Sequence, residues 1–325
     1  MTEFVFSLAI AVVIALALWQ IIGCLIAQRL LYSNHHSIAQ RRTPEQFGHR
    51  VTRLTIPVDR HHNLAAWMLS PSPDVSLDGA CIVMVHGFSG GKDKLWSFPS
   101  DDYQASTLEQ GGAALVNSGF HVVAIDLRNH GDSDDNGPVT LGARESDDVL
   151  STLDYLRNHA GHLGIDANRI GLRGESMGGA TCLIAGARDQ ENQIRAIWSD
   201  SAFAEAASAI PDFMRHKNIP TIFALPARFW LTKLAGVHLN EASPLRRIGM
   251  IHCPVFLTHS NGDAMLPIRH LEILASSEHW QQTPQIWSLA QHAHNRLWRE
   301  PEYHQRQIDF FRLHLANQTI RREAA

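Results

Sequence analysis

Residues 169–174 form a short apolar-rich run that passes directly into Gly174-Glu175-Ser176-Met177-Gly178-Gly179 and then into a helix-forming stretch. This spacing predicts a strand, a very tight turn and a helix. Small residues flank the serine because the backbone must double back on itself there. The turn presents the Ser176 hydroxyl at the C-terminal end of the strand, and the helix N-terminus behind it favours developing negative charge. A strand that feeds straight into a helix is the building unit of a mostly parallel sheet.

The rest of the chain repeats that rhythm. Apolar, β-rich runs at 51–58, 64–69, 81–85, 122–126, 169–174, 196–200, 255–259 and 285–289 predict eight strands. Several are β-branched runs apolar enough to be covered on both faces. The polar turn 59–63 predicts that the first two form an antiparallel hairpin at one edge. Helices are expected at 106–118, 143–159, 177–188, 268–277 and 301–315, the last with proline in its first turn. At about 150 residues per domain, a chain of 325 suggests two domains. Eight strands with their helices account for residues 51–316 as one domain instead.

Residues 202–245 break the rhythm with Phe213, Met214, Phe223, Phe229 and Trp230 among Pro211, Pro220 and Pro226, so a helical insertion after the sixth strand is expected. Such an insertion can serve as a lid or simply pack on the sheet. The loop 89–104 is long and carries Trp96 and Phe98. Those two, with Phe229 and Trp230, are the candidates for an apolar substrate pocket.

The N-terminus is a separate matter. Residues 4–27 hold 21 hydrophobic residues in 24, interrupted only by Ser7, Gln20 and Gly23. That length suffices to cross a hydrocarbon core of about 30 Å. It exceeds the apolar core of a cleaved signal and lacks its basic start. Residues 28–50, which include Arg29, Arg41 and Arg42, read as a juxtamembrane connector. The basic flank predicts a single-pass anchor with the following domain in the cytoplasm. Four cysteines, each in or beside an apolar stretch, read as free thiols. A net charge of −4 argues against nucleic-acid binding.

His86-Gly87-Phe88 follows the third predicted strand. An oxyanion hole needs two converging backbone N–H groups. Met177, after the serine, and Phe88 are the candidates.

With these motifs in view the chain resembles the α/β-hydrolases, in the branch of esterases, lipases and serine-aminopeptidase-like proteins that includes single-pass membrane members. Val85-His86-Gly87, the loop Asp126-Leu127-Arg128-Asn129-His130-Gly131-Asp132-Ser133, the Gly174–Gly178 turn, and Ser243-Pro244 through Gly262-Asp263 and Pro267 carry the resemblance. Asn129 departs from the glycine found in many members.

The resemblance implies an eight-stranded α/β-hydrolase fold with helices on both faces and a triad in the order Ser, acid, His. It assigns Ser176 as nucleophile and Asp263 as acid, with Asp200 as competitor. The base lies after the last strand. His292 fits the family pattern best, and His294 is the alternative. The pair also invites a metal reading, but no carboxylate–histidine helix motif accompanies it. No metal or cofactor is expected. The implied activity is hydrolysis of an ester or lipid-like acyl substrate through an acyl-enzyme. Amide or peptide hydrolysis and acyl transfer are alternatives on the same triad. A membrane-anchored interaction protein on an inactive hydrolase fold is the reading from a different class.

Overall fold

The computed structural model of the chain describes residues 1–32, 43–77, 79–93, 111–289 and 292–315. Eight strands form one sheet: β1 (Val51–Pro57), β2 (Asn63–Leu69), β3 (Cys81–Val85), β4 (His121–Ile125), β5 (Ile170–Glu175), β6 (Ile194–Asp200), β7 (Val255–Ser260) and β8 (Gln285–Leu289). Their spatial order is β1-β2-β4-β3-β5-β6-β7-β8. The β1–β2 hairpin is antiparallel, β2 pairs antiparallel with β4, and all later pairings are parallel. All eight expected strands form, with ends shifted by at most two residues.

The sheet is a layer between two cores, and the pleat divides the side chains between them. Cys81, Val83 and Val85 of β3 face one core while Ile82 and Met84 face the other. The first core is closed by α3 (Glu145–Asn158), α5 (Met177–Arg188) and α8 (Arg269–Ala275), through residues such as Leu153, Leu183 and Leu271. The second is closed by α2 (Gly112–Asn117) and α9 (Pro301–Leu315), with Leu115, Ile308 and Phe311. Strands β3, β4, β5 and β7 are buried along their whole length; β3 and β4 accordingly read as near-continuous apolar runs, while β5 and β7 also carry buried polar groups, Arg173 and Glu175 in one and Thr258 to Ser260 in the other. The short helix α4 (Ala160–Leu163) ends at Gly164 in a left-handed conformation. Cys81 and Cys182 are buried free thiols in the first core, and burial pushes Cys81 up to about 12.

The insertion after β6 is helical, as expected. It contains α6 (Ala206–His216), a 3-10 turn at Thr221–Phe223 and α7 (Ala224–Ala235). The apolar N-terminal run forms α1 (Thr2–Leu31), a helix of about 45 Å that continues past residue 27. It is long and apolar enough to cross a membrane. Its last part packs against the insertion, where Ala27 and Leu31 join Ile210, Met214, Leu231 and Ala235 in a third cluster.

Two of the three residues that interrupt the apolar run lie on that seam. Gln20 Oε1 accepts a hydrogen bond from Trp230 Nε1 at 3.0 Å. A Cβ on Gly23 would lie 2.5 Å from Cβ of Pro226, so only glycine lets the helices approach this closely. Trp19 Nε1 donates to the Ile222 carbonyl at 2.9 Å, and the Leu31 carbonyl accepts from Val139 N–H at 3.0 Å.

Candidate active site

Ser176 sits between the end of β5 and the first residue of α5 with φ +54°, a conformation L-residues avoid. The turn closes so tightly that its glycines are obligatory. A Cβ on Gly174 would lie 2.3 Å from the Gly178 carbonyl oxygen, and one on Gly178 would lie 2.3 Å from the Val85 oxygen. Ser176 N–H donates to the Asp200 carbonyl at 2.8 Å, which ties the turn to the adjacent strand.

Asp263 follows β7 in a turn that holds its carboxylate from the backbone side. Oδ1 accepts the N–H groups of Met265 and Leu266, both at 2.9 Å. Oδ2 accepts from His294 Nδ1 at 2.5 Å. Burial works to raise the Asp263 pKa, but hydrogen bonds from His259 and His294 and the Leu266 N–H outweigh it and hold the carboxyl well below the usual range. Because Nδ1 of His294 carries the proton given to Asp263, Nε2 is left as an acceptor. Ser176 Oγ lies 2.8 Å from it. Ser176, His294 and Asp263 therefore form one continuous hydrogen-bonded chain, an arrangement suited to activating a hydroxyl as a nucleophile.

This corrects the expectation for His292. Its backbone is pinned to the end of β7, with its N–H donating to Ser260 Oγ at 2.9 Å and its carbonyl accepting from the same hydroxyl. Anchored there, its ring turns to Glu300, with which Nε2 pairs. The chain needs two more residues to reach Ser176, and His294 is the residue that arrives. Asn295 follows with φ +53° and borders the same cavity, a residue that sequence reasoning passed over.

Asp200 is excluded as the acid by its partners. Its carboxylate accepts from Tyr303 Oη at 2.8 Å and from Ser201 Oγ at 2.8 Å. Around it, Arg173 pairs with Glu175, and Trp198 Nε1 donates to Tyr303 Oη at 3.3 Å. Burial raises the Glu175 pKa, with Arg173 acting against it.

The two candidate oxyanion donors both border the cavity beside Ser176. Met177 is the first residue of α5, where backbone N–H groups have no intrahelical acceptor. Phe88 follows His86-Gly87, and this loop is braced from within the fold. His86 Nδ1 donates to the Gly87 carbonyl at 2.8 Å, while its Nε2 accepts from Leu127 N–H at 3.0 Å. The Asp126–Ser133 loop that supplies Leu127 is structural. Asp126 accepts from the N–H groups of Lys92 and Asp132, and Arg128 Nη2 pairs with Asp148 Oδ1 at 2.6 Å. Asn129 sits at φ +64°, which explains why glycine suits this position elsewhere. Its Oδ1 accepts from Asn136 N–H at 2.7 Å, a bond glycine cannot make.

A cavity of about 300 Å³ opens beside Ser176 and His294. Its walls are apolar: Leu30 from α1, Leu141, Phe203, Ile210, Phe213 and Met265. The expected pocket aromatics are placed differently. Phe229 is half exposed on the outer side of α7, and Trp230 faces Gln20 of α1, so neither borders the cavity. Trp96 and Phe98 lie outside the described residues. The insertion reaches the cavity through α6 instead. It is locked to the acid side of the site by Asp212, whose Oδ2 accepts from His270 Nε2 at 2.9 Å. His270 Nδ1 accepts from Ala204 N–H at 3.2 Å, and burial lowers its pKa.

The BD-FAE family model matches residues 73–277, more than half of the chain. An Escherichia coli protein, an uncharacterized 31.7 kDa protein in the traX-finO intergenic region, is 29% identical over 133 residues. That match covers 41% of this chain and only 41% of that protein's length. Among solved structures, Pyrococcus furiosus esterase Pf2001 is similar over 86% of this chain and 97% of its own, with a TM-score of 0.65 at 18% identity. Pyrococcus horikoshii acylaminoacyl peptidase is similar over 85% of this chain and 43% of its own, with a TM-score of 0.57 at 16% identity. The same mixed sheet, the glycine-bound turn after β5 and the match through its central strands agree on one conclusion: the chain belongs to the BD-FAE family of the α/β-hydrolase superfamily.

Proposed function

We propose that the chain is a serine hydrolase that cleaves carboxylic esters with an apolar acyl group through an acyl-enzyme. The observation that carries this reading is the unbroken Ser176–His294–Asp263 hydrogen-bond chain beside an apolar cavity. In this mechanism His294 Nε2 takes the Ser176 proton as Oγ attacks the acyl carbonyl. The N–H groups of Met177 and Phe88 receive the oxyanion. Asp263 holds the ring in the required tautomer and stabilises the imidazolium. The imidazolium then protonates the leaving alcohol, and a water deprotonated by His294 releases the acid. The name of the Pyrococcus furiosus neighbour, an esterase, supports the ester assignment.

Amide hydrolysis is the second reading, favoured by the acylaminoacyl peptidase neighbour. In either case α1 is taken as a single membrane crossing, with residues 51–316 as the catalytic domain on the cytoplasmic side, the side of Arg29.

A fluorophosphonate probe and a panel of p-nitrophenyl esters and anilides of varied acyl length test the proposal on wild type and Ser176→Ala. Labelling and ester turnover that vanish together in the variant support it. Product analysis with an added alcohol distinguishes hydrolysis from acyl transfer. An active Ser176→Ala, or no labelling of wild type, overturns it.

A further inference from the structure

The insertion has two unlike sides. Pro226, Ala227, Leu231 and Ala235 of α7 are buried, most of them against α1. On the outer side, Ile222, Leu225 and Phe229 recur at helical spacing and are 68%, 65% and 50% exposed. Three large apolar side chains in solvent on two successive turns need a partner.

The register along α1 indicates what that partner is. Trp19 meets Ile222, Gly23 meets Pro226, and Ala27 and Leu31 cluster with Leu231 and Ala235, so the two helices run parallel and side by side. The outer face of α7 therefore lies level with residues 19–25 of α1, inside its apolar run. Thr2 to Leu18 amount to about 26 Å of helix, less than the roughly 30 Å of a hydrocarbon core. A crossing by α1 needs the next turn as well, and that turn already has α7 beside it. The exposed face of α1 at Ile22 and Leu25 continues the apolar surface of α7.

The charge pattern agrees. Across residues 202–245 the insertion carries Arg215, Lys217, Arg228 and Lys233 against three acids, of which Asp212 is buried and Glu205 and Glu241 lie at its two ends, away from α7's outer face. Lys217, Arg228 and Lys233 are exposed. Long cationic side chains at the edge of an apolar patch suit an anionic headgroup layer. Lys217 and Leu30 also border the cavity beside Ser176.

We propose that α1 and the insertion enter the bilayer as one unit, resting on the reading of α1 as a membrane crossing. Ile222, Leu225 and Phe229 sit among the acyl chains of the leaflet that α1 leaves, with Lys217, Arg228 and Lys233 at its anionic headgroups. The Leu30-walled cavity then opens at that leaflet, and a lipid ester passes into it from the membrane without crossing water.

The test uses the full chain with Cys24→Ala in vesicles of phosphatidylcholine and phosphatidylglycerol. An environment-sensitive thiol dye is placed by Leu225→Cys, by Ile14→Cys as a report on α1, and by Asp154→Cys as an exposed control on α3. Spin-labelled lipids are the quencher. Quenching and a blue shift at 14 and 225, with neither at 154, support the proposal. Quenching at 14 alone overturns it while leaving the anchor intact, and quenching at neither position overturns the anchor too. Cross-linking between two copies at 225 without lipid quenching assigns the face to a second copy and also overturns it.

A second measurement uses Ile222→Asp with Leu225→Asp. Turnover of an ester lipid in the bilayer falls about tenfold or more, while a soluble p-nitrophenyl ester is turned over as before. An equal loss on both substrates, or on neither, overturns the proposal. Absence of any turnover by wild type instead fails the hydrolase reading, a result the quenching measurement does not depend on.

Discussion

Ser176 Oγ lies 2.8 Å from Nε2 of His294, while His292, two residues earlier in the same loop, pairs with Glu300. The two histidines thus separate into one within hydrogen-bond reach of the Ser176 hydroxyl and one held by its own loop. His294→Gln is expected to lower kcat for a p-nitrophenyl ester by about 10³-fold or more, in line with triad losses. His292→Gln leaves Ser176, His294 and Asp263 in place, so kcat falls by less than about tenfold while thermal stability drops through the lost Glu300 pair. The reverse ranking in a side-by-side assay returns the base to His292.

The residue before the nucleophile tests a different relationship. Glu175 is buried and paired with Arg173, which is itself buried. Glu175→Gln removes the carboxylate that pairs with the buried guanidinium, leaving it only the Asp200 charge nearby, and is expected to cost about 3 kcal/mol of unfolding free energy. The double variant Arg173→Met, Glu175→Gln recovers part of that loss, because the buried guanidinium goes with its partner while Asp200 keeps only its bonds from Tyr303 and Ser201. Denaturant unfolding of the three chains gives the comparison. Additive losses contradict the pairing.

Asn129 separates a backbone preference from a side-chain bond. At φ +64° alanine is strained by about 1–2 kcal/mol, so Asn129→Ala is destabilising. Asn129→Gly removes the strain and also the bond to Asn136 N–H, and the two changes nearly cancel. Glycine is therefore expected within about 1 kcal/mol of wild type. Urea midpoints that place alanine level with glycine exclude this account.

Which parts of this were legible beforehand follows from how local each signal is. The strands β3 and β4 announce themselves because burial on both faces there is met by an apolar run. The turn at Ser176 was legible because its glycines are forced by contacts within a few residues and with Val85. The choice between His292 and His294 was not, since it depends on Ser260, distant in sequence, fixing the loop. The pocket failed for the same reason. Phe229 and Trp230 are aromatic and lie in the insertion that reaches the site, yet the helix phase of α7 against α1 turns both away from the cavity. Gln20 and Gly23 read as flaws in an apolar helix, and only the packed seam gives them a purpose.

Two buried groups set how stability responds to acid. His304 is pulled to about 4 by burial, with the Arg173 charge adding to the effect, so below the ordinary value of 6.5 the unfolded chain binds a proton that the folded one refuses. Its contribution is intact above pH 6.5 and is lost as pH falls towards about 4. Asp263 is also depressed, so its contribution is intact above the ordinary carboxylate range and is lost only at lower pH still. Tm measured across this range is expected to decline in two stages. His304→Leu flattens the upper stage, and an unchanged slope in that variant assigns the decline to other groups.

The seam between α1 and α7 connects the apolar N-terminal helix to the cavity beside Ser176, and Gly23 controls its width. A Cβ there meets Pro226 Cβ at 2.5 Å, with the Ala227 backbone nitrogen at 2.9 Å. Gly23→Leu must therefore push the helices apart. Leu30, two turns further along α1, borders the cavity, so the displacement reaches the acyl wall but not the triad. The expected result is selective. kcat/KM for long-chain p-nitrophenyl esters falls several-fold, while hydrolysis of the acetate is little changed, because a short acyl group does not need a wall so far from Ser176. Gly23→Ala, with the smallest possible Cβ, gives the same pattern at lower amplitude. A uniform loss across chain lengths means that the seam supports folding rather than the shape of the cavity.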